Sequence, residues 1–121
     1  MKYADLEKIM LKKPGAWLDY PFGKDAAVFK VGSKMFALVS WNADPLWLNL
    51  KCDPDDAMVL REMFTAVKPG YHMNKRHWNT ITLNGVVPEP MFLDMITSSY
   101  NLVFKSLKKA EREAILSQGP S

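Results

Sequence analysis

The chain has 121 residues, 48% hydrophobic and 24% charged, which excludes a disordered segment and allows a buried core without cross-links. Its one cysteine excludes an intrachain disulfide, and no apolar run approaches the ~18–20 residues of a bilayer span. The formal charge of +3 tilts the chain only slightly toward polyanionic partners, so charge alone assigns no function.

The opening Met1-Lys2-Tyr3-Ala4-Asp5 lacks the apolar block of a secretory signal, and a cytoplasmic location is expected. Tyr3, Leu6, Ile9, Met10 and Lys13 mark one face of a first helix that stops before Pro14-Gly15. Residues 16–23 carry Trp17, Tyr20 and Phe22 among Pro21 and Gly23; they read as an aromatic loop whose rings cap the core. Two strands follow, 26–31 and 34–40, joined by Gly32-Ser33, a glycine-first pair suited to a type II′ turn. A third strand, 46–51, sets Leu46, Leu48 and Leu50 toward a core and Trp47, Asn49 and Lys51 the other way.

Asp53-Pro54-Asp55-Asp56 is a helix start: a capping aspartate, a proline at the first helical position, and two carboxylates at the positive end of the dipole. Ala57, Leu60, Arg61 and Phe64 continue at helical spacing. A strand is expected over 78–83, followed by a turn at Asn84-Gly85 and a brief extension of the sheet at Val86-Val87. Pro88-Glu89-Pro90 opens a long helix whose stripe is Phe92, Ile96, Ser99, Tyr100, Val103 and Leu107. A last, mainly solvated helix covers 108–116, and residues 119–121 form a frayed tail. Hairpin-connected strands between helices imply an α+β fold: a two-layer sandwich, its antiparallel sheet packed by helices on one face. The open face would carry Lys30, Trp47, Lys51 and Trp78.

The most unusual stretch is residues 68–80, which holds both histidines. No Asp or Glu occurs from Met63 to Pro88, so Lys68, Lys75 and Arg76 have no acidic neighbour in sequence. Pro69-Gly70 reads as a turn, with proline fixing φ and glycine supplying a positive φ, and the basic run as a loop or short helical turn feeding a strand.

Pro69-Gly70-Tyr71-His72-Met73-Asn74-Lys75 and His77-Trp78-Asn79-Thr80 resemble the signature of the MmcQ/YjbR family of small bacterial proteins. Lys13-Pro14-Gly15-Ala16, Pro21-Phe22-Gly23, Lys34-Met35-Phe36-Ala37, Leu50-Lys51-Cys52 and Ser99-Tyr100 agree with it, so the resemblance covers nearly the whole chain. It implies one YjbR-like domain over residues 1–118, a two-layer architecture compared to frataxin-like and secretion-chaperone-like folds. It also implies DNA binding through a "double wing". On this sequence the wings fall on the hairpin cations Lys30 and Lys34 and on Lys68, Tyr71, His72, Asn74, Lys75, Arg76, His77 and Trp78. Cations to meet phosphates and rings to stack or enter a groove are the residue types that binding needs. On the competing reading Tyr71, Met73 and Trp78 anchor the core, Asn74 caps a turn, and the cations are ordinary solvated surface.

Other chemistry finds less support. His72 and His77 are five apart, off a shared helical face and without a nearby Cys or carboxylate, so no metal is expected. Cys52 reads as a buried structural thiol, since nearby aspartates oppose a thiolate. Ser98 and Ser99 lie inside a helix with no turn to expose a nucleophile, and no glycine loop can cradle phosphates. No catalytic set and no cofactor is expected. The competing class is a module that binds protein or peptide, or self-associates, through the open sheet face.

Overall fold

The computed structural model describes residues 1–118; the tail at 119–121 lies outside the described residues. The elements run α1 (Tyr3–Leu11), β1 (Ala16–Asp19), β2 (Ala26–Val31), β3 (Lys34–Ser40), β4 (Trp47–Lys51), α2 (Pro54–Met63), β5 (Val67–Pro69), β6 (Trp78–Thr82), α3 (Glu89–Ser106) and α4 (Lys109–Ser117). The strands form one six-stranded sheet in the order β1-β2-β3-β4-β6-β5, every neighbouring pair antiparallel.

Register decides which side chains face the helices. Phe29 lies opposite Ala37, Ala37 opposite Leu50, and Leu50 opposite Asn79, so these four share one face. Ala27, Val39, Leu48 and Ile81 form the next row of that face. The α3 stripe of Phe92, Ile96, Ser99, Tyr100 and Val103 is buried against it, and Leu6 and Met10 of α1 and Ile115 of α4 join the same cluster. Each large apolar side chain buried this way contributes roughly 1.5–3 kcal/mol. The expected α+β sandwich, with a helix layer on one face of an antiparallel sheet, is what forms.

Local chemistry explains the boundaries. Asp53 accepts from the Asp55 amide at 3.0 Å with Pro54 at the first helical position, so α2 begins where the carboxylates require. Gly32 turns β2 into β3 at φ +58°, and a Cβ there would crowd Leu107 at 3.1 Å. The β2–β3 register shifts between Phe29 and Lys30. Beside that irregularity the buried hydroxyl of Ser99 donates to the Phe36 carbonyl at 2.6 Å and accepts from the Lys51 amide at 2.8 Å. A serine in an apolar stripe is thereby accounted for.

Four expectations need correcting. Residues 16–19 are a strand rather than part of a loop: they pair with the otherwise free edge of β2, a tertiary choice that local composition does not encode. Trp17, Tyr20 and Phe22 are exposed rather than capping the core, Phe22 by 69%. Lys68 and Pro69 belong to a short edge strand, where a proline is tolerated because its missing donor faces no partner. Val86-Val87 adds nothing to the sheet, since the chain turns directly into α3.

Candidate functional site

Strands β5 and β6 form a hairpin whose long connection, residues 70–77, carries most of the sequence signature. Gly70 opens it by continuing the ladder, its amide donating to the Trp78 carbonyl at 2.8 Å. It is a glycine because of close approach: a Cβ would sit 2.8 Å from the Trp78 Cβ and 3.0 Å from the Met73 Cβ. The left-handed residue is His72, at φ +59°, and not Gly70 as the turn chemistry implied.

Asn74 then builds the turn. Its side-chain oxygen accepts from the Arg76 amide at 3.0 Å, and its carbonyl accepts from His77 and Trp78. Lys75 Nζ reaches back to the Gly70 carbonyl at 3.0 Å, closing the loop on itself. From beneath, Arg61 of α2 donates Nε to Asn79 Oδ1 at 2.7 Å and Nη2 to the carbonyls of Lys75 and Trp78. One guanidinium therefore fixes both the start of β6 and the end of the loop.

The loop also folds over the sheet face away from the helices. The Tyr71 amide donates to Thr80 Oγ1 at 2.8 Å, Asn49 Nδ2 donates to the Tyr71 carbonyl at 3.2 Å, and the Thr80 hydroxyl donates to Asn49 Oδ1. The Tyr71 ring meets Trp47 edge-on at 5.9 Å and packs against His72 at 4.0 Å. Asn49 is consequently buried on a face expected to be open. Lys51 and Trp78 remain half-buried beside it, opposite each other in register.

Lys68, Tyr71, His72, Asn74, Lys75 and Arg76 are exposed, and His77 is half-buried. Among the described residues no carboxylate lies within 4.0 Å of Lys68, Lys75 or Arg76; the only ion pairs are Lys30–Asp19 and Lys109–Glu113. The loop keeps its positive charge.

The β2–β3 hairpin is different. Lys30 is bonded to Asp19 at 2.8 Å and lies 5.0 Å from the Trp17 ring centre. That hydrogen bond, with a second from the Tyr20 amide, holds the Asp19 carboxyl below its ordinary range. Lys34 donates to the Ser106 carbonyl at 2.9 Å, which leaves its charge uncompensated. The turn itself is braced, the Ser33 amide donating to Glu111 Oε1 at 3.1 Å. Since Ala37 pairs with Leu50 and Lys51 with Trp78, the turn at 32–33 and the loop at 70–77 leave the same end of the sheet. The two hairpins are three strand spacings apart, or ~14 Å.

Arg61 is the organising residue that sequence reasoning missed as functional, although its place on the inward stripe of α2 was a signal: a cation there needs acceptors. Asn49 and Thr80 carried no signal, because they matter only once the loop lies on them. Cys52 is half-buried, and burial, with Asp56 and Asp53 nearby, pushes its thiol up to about 11. Among the described residues no three His, Cys, Asp or Glu side chains group to hold a metal, and no helix is long and apolar enough to cross a membrane.

A six-stranded antiparallel sheet with one helix layer and a basic hairpin loop at its end defines the class of this protein. The YjbR family model matches residues 11–102, and the chain belongs to the YjbR family. It is 35% identical over 109 residues to YbdF of Escherichia coli O157:H7, covering 90% of this chain and 89% of that one. YjbR of Escherichia coli K12 is 28% identical over 116 residues, covering 96% and 98%. The crystal structure of a Deinococcus radiodurans protein with a DUF419 domain superposes with a TM-score of 0.89 at 37% identity, covering 99% of this chain and 94% of that one. A Pseudomonas syringae protein superposes at 0.73 with 30% identity, covering 85% and 99%.

Proposed function

We propose that this protein binds DNA in the cytoplasm through the loop at 70–77 and the adjoining edge strand, with the β2–β3 hairpin as a second, weaker projection. The observation that carries the reading is that Lys68, Lys75 and Arg76 are exposed with no carboxylate near them, on a loop that Arg61 holds in one shape. A preformed cationic loop loses little conformational freedom when phosphates replace its counterions. Tyr71 and His72 project beside the cations and supply rings, and Lys34 offers a further charge from the same end of the sheet. In this reading Asn74, His77 and Trp78 shape the loop, and Lys30 contributes little because Asp19 already compensates it.

The test is fluorescence anisotropy of a labelled mixed-sequence duplex at low salt. Lys68→Ala/Arg76→Ala, which removes two side chains without a recorded internal bond, is expected to weaken binding at least tenfold, while Lys30→Ala leaves it within about twofold. Equal losses in the two variants would contradict the assignment.

A second reading, binding of a protein partner, has one observation in its favour. Trp17, Tyr20, Phe22 and Trp41 are all at least 41% exposed around β1, and the Trp41 indole is tied to the Lys24 carbonyl. On this reading the apolar contact lies beside β1 and not on the sheet face under Tyr71. Unchanged duplex binding on replacing Phe22 with Ser separates this surface from the basic loop.

A further inference from the structure

On the helix side of the sheet α2 and α3 part over β4 and β6 and leave a cleft of about 500 Å³. That is within the range of small-molecule sites. Its walls are mainly apolar, Leu50 and Ile81 from the sheet, Val59 and Leu60 from α2, Met91 and Met95 from α3, with Ser98 and Asn101 of α3 also lining it. Charged residues line it, Asp53, Asp56 and Asp94 against Lys105, while Lys51 lines it from a strand position whose side chain faces the other side of the sheet. Three carboxylates against one ammonium group give no net attraction for an anion.

One wall residue is out of place. Asn79 is 2% exposed, and its Nδ2 is buried without a partner. The amide cannot be turned round to relieve this, because a guanidinium only donates and Arg61 Nε requires the Asn79 oxygen, 2.7 Å away. The fold therefore holds an unused N–H donor in the wall of an apolar cleft, at a cost of roughly 1–3 kcal/mol while it stays unpaired. The amide's oxygen serves Arg61, whereas its Nδ2 has no acceptor among the described residues.

We propose that this cleft binds a small neutral amphiphile, an apolar body bearing a carbonyl or amide oxygen that accepts from Asn79 Nδ2. The apolar walls hold the body, and the orphaned donor selects the oxygen. The proposal does not rest on the DNA reading, although Arg61 joins Asn79 to the loop that reading uses.

The test is a ¹⁵N–¹H correlation titration of the full chain with the aryl ketone butyrophenone, beside butylbenzene as the hydrocarbon without the acceptor. The ketone is expected to shift amides of α2, α3 and β4 saturably, to move the Asn79 side-chain NH₂ resonances, and to bind about tenfold more tightly than the hydrocarbon. Asn79→Leu is expected to abolish that preference. Because this variant also takes the acceptor from Arg61, a second one, Val59→Trp, fills the cleft from a position already 53% exposed and is expected to weaken the ketone at least tenfold without unfolding the protein. Slower alkylation of Cys52, which lines the same cleft, gives an independent reading of occupancy. Equal affinity for ketone and hydrocarbon, shifts centred on Trp17 to Phe22, or no saturable binding of either probe would each overturn the proposal.

Discussion

Arg61 is a cation held by oxygens and by no carboxylate among the described residues: its acceptors are Asn79 Oδ1 and the carbonyls of Lys75 and Trp78. Arg61→Met removes the donors and leaves Asn79 Oδ1 and the Lys75 carbonyl unpaired, while the Trp78 carbonyl keeps the Gly70 amide. It is expected to lower unfolding free energy by about 2–3 kcal/mol in urea, and to weaken duplex binding by loosening the loop that Arg61 holds. Arg61→Lys recovers only part of this, because a single ammonium cannot span acceptors placed for a planar fork. His72 offers the converse case. Its positive φ suits glycine and penalises a β-branched residue, so His72→Ile is expected to cost about 1–2 kcal/mol while His72→Gly leaves stability within ~0.5 kcal/mol. The sequence placed Arg61 on the inward stripe of α2, where the need for acceptors was readable. It did not place the left-handed residue, because Pro69-Gly70 is the commoner turn signal and Gly70 proved to be there for close contact with Trp78.

At the level of elements, α2, α3 and the β2–β3 hairpin were legible because capping residues, a long apolar stripe and a two-residue turn each act locally. The edge strands β1 and β5 were not, since four and three residues show no period and exist only by pairing with β2 and β6. Ser99 ties α3 to β3 and β4 in the interior, so Ser99→Val is expected to cost about 1–3 kcal/mol by leaving the Phe36 carbonyl and Lys51 amide unpaired, measured by thermal or urea unfolding. The β2–β3 turn is latched to α4 by Glu111, whose carboxyl is held below its ordinary value of 4.5 mainly by hydrogen bonding from Ser33. The folded state favours the carboxylate, so the latch is at full strength above pH 4.5 and is lost as pH falls through the lowered folded value. Glu111→Gln should therefore melt below the parent at neutral pH, and the difference should close in acid; a difference that persisted at pH 2 would contradict the latch.

Across the whole molecule, the net charge of +3 conceals an uneven distribution. Lys30 is compensated by Asp19, while Lys34, Lys68, Lys75 and Arg76 stand at one end of the sheet without an ion pair among the described residues, although the aspartates at the start of α2 follow β4 at that same end. Composition averaged this away; the acid-free window around the signature was the trace of it that sequence retained. The fold class followed from the order of helices and hairpins, but the covering of the outer face by Tyr71 depended on a loop conformation that no local pattern encodes. The proposed DNA binding depends on that clustered charge meeting phosphates. The most direct measurement is the slope of log affinity against log salt for a mixed-sequence duplex. Four phosphate contacts predict a slope of about −3.6, falling to about −1.8 in Lys68→Ala/Arg76→Ala. No binding at low salt, or an affinity that salt leaves unchanged, would contradict it.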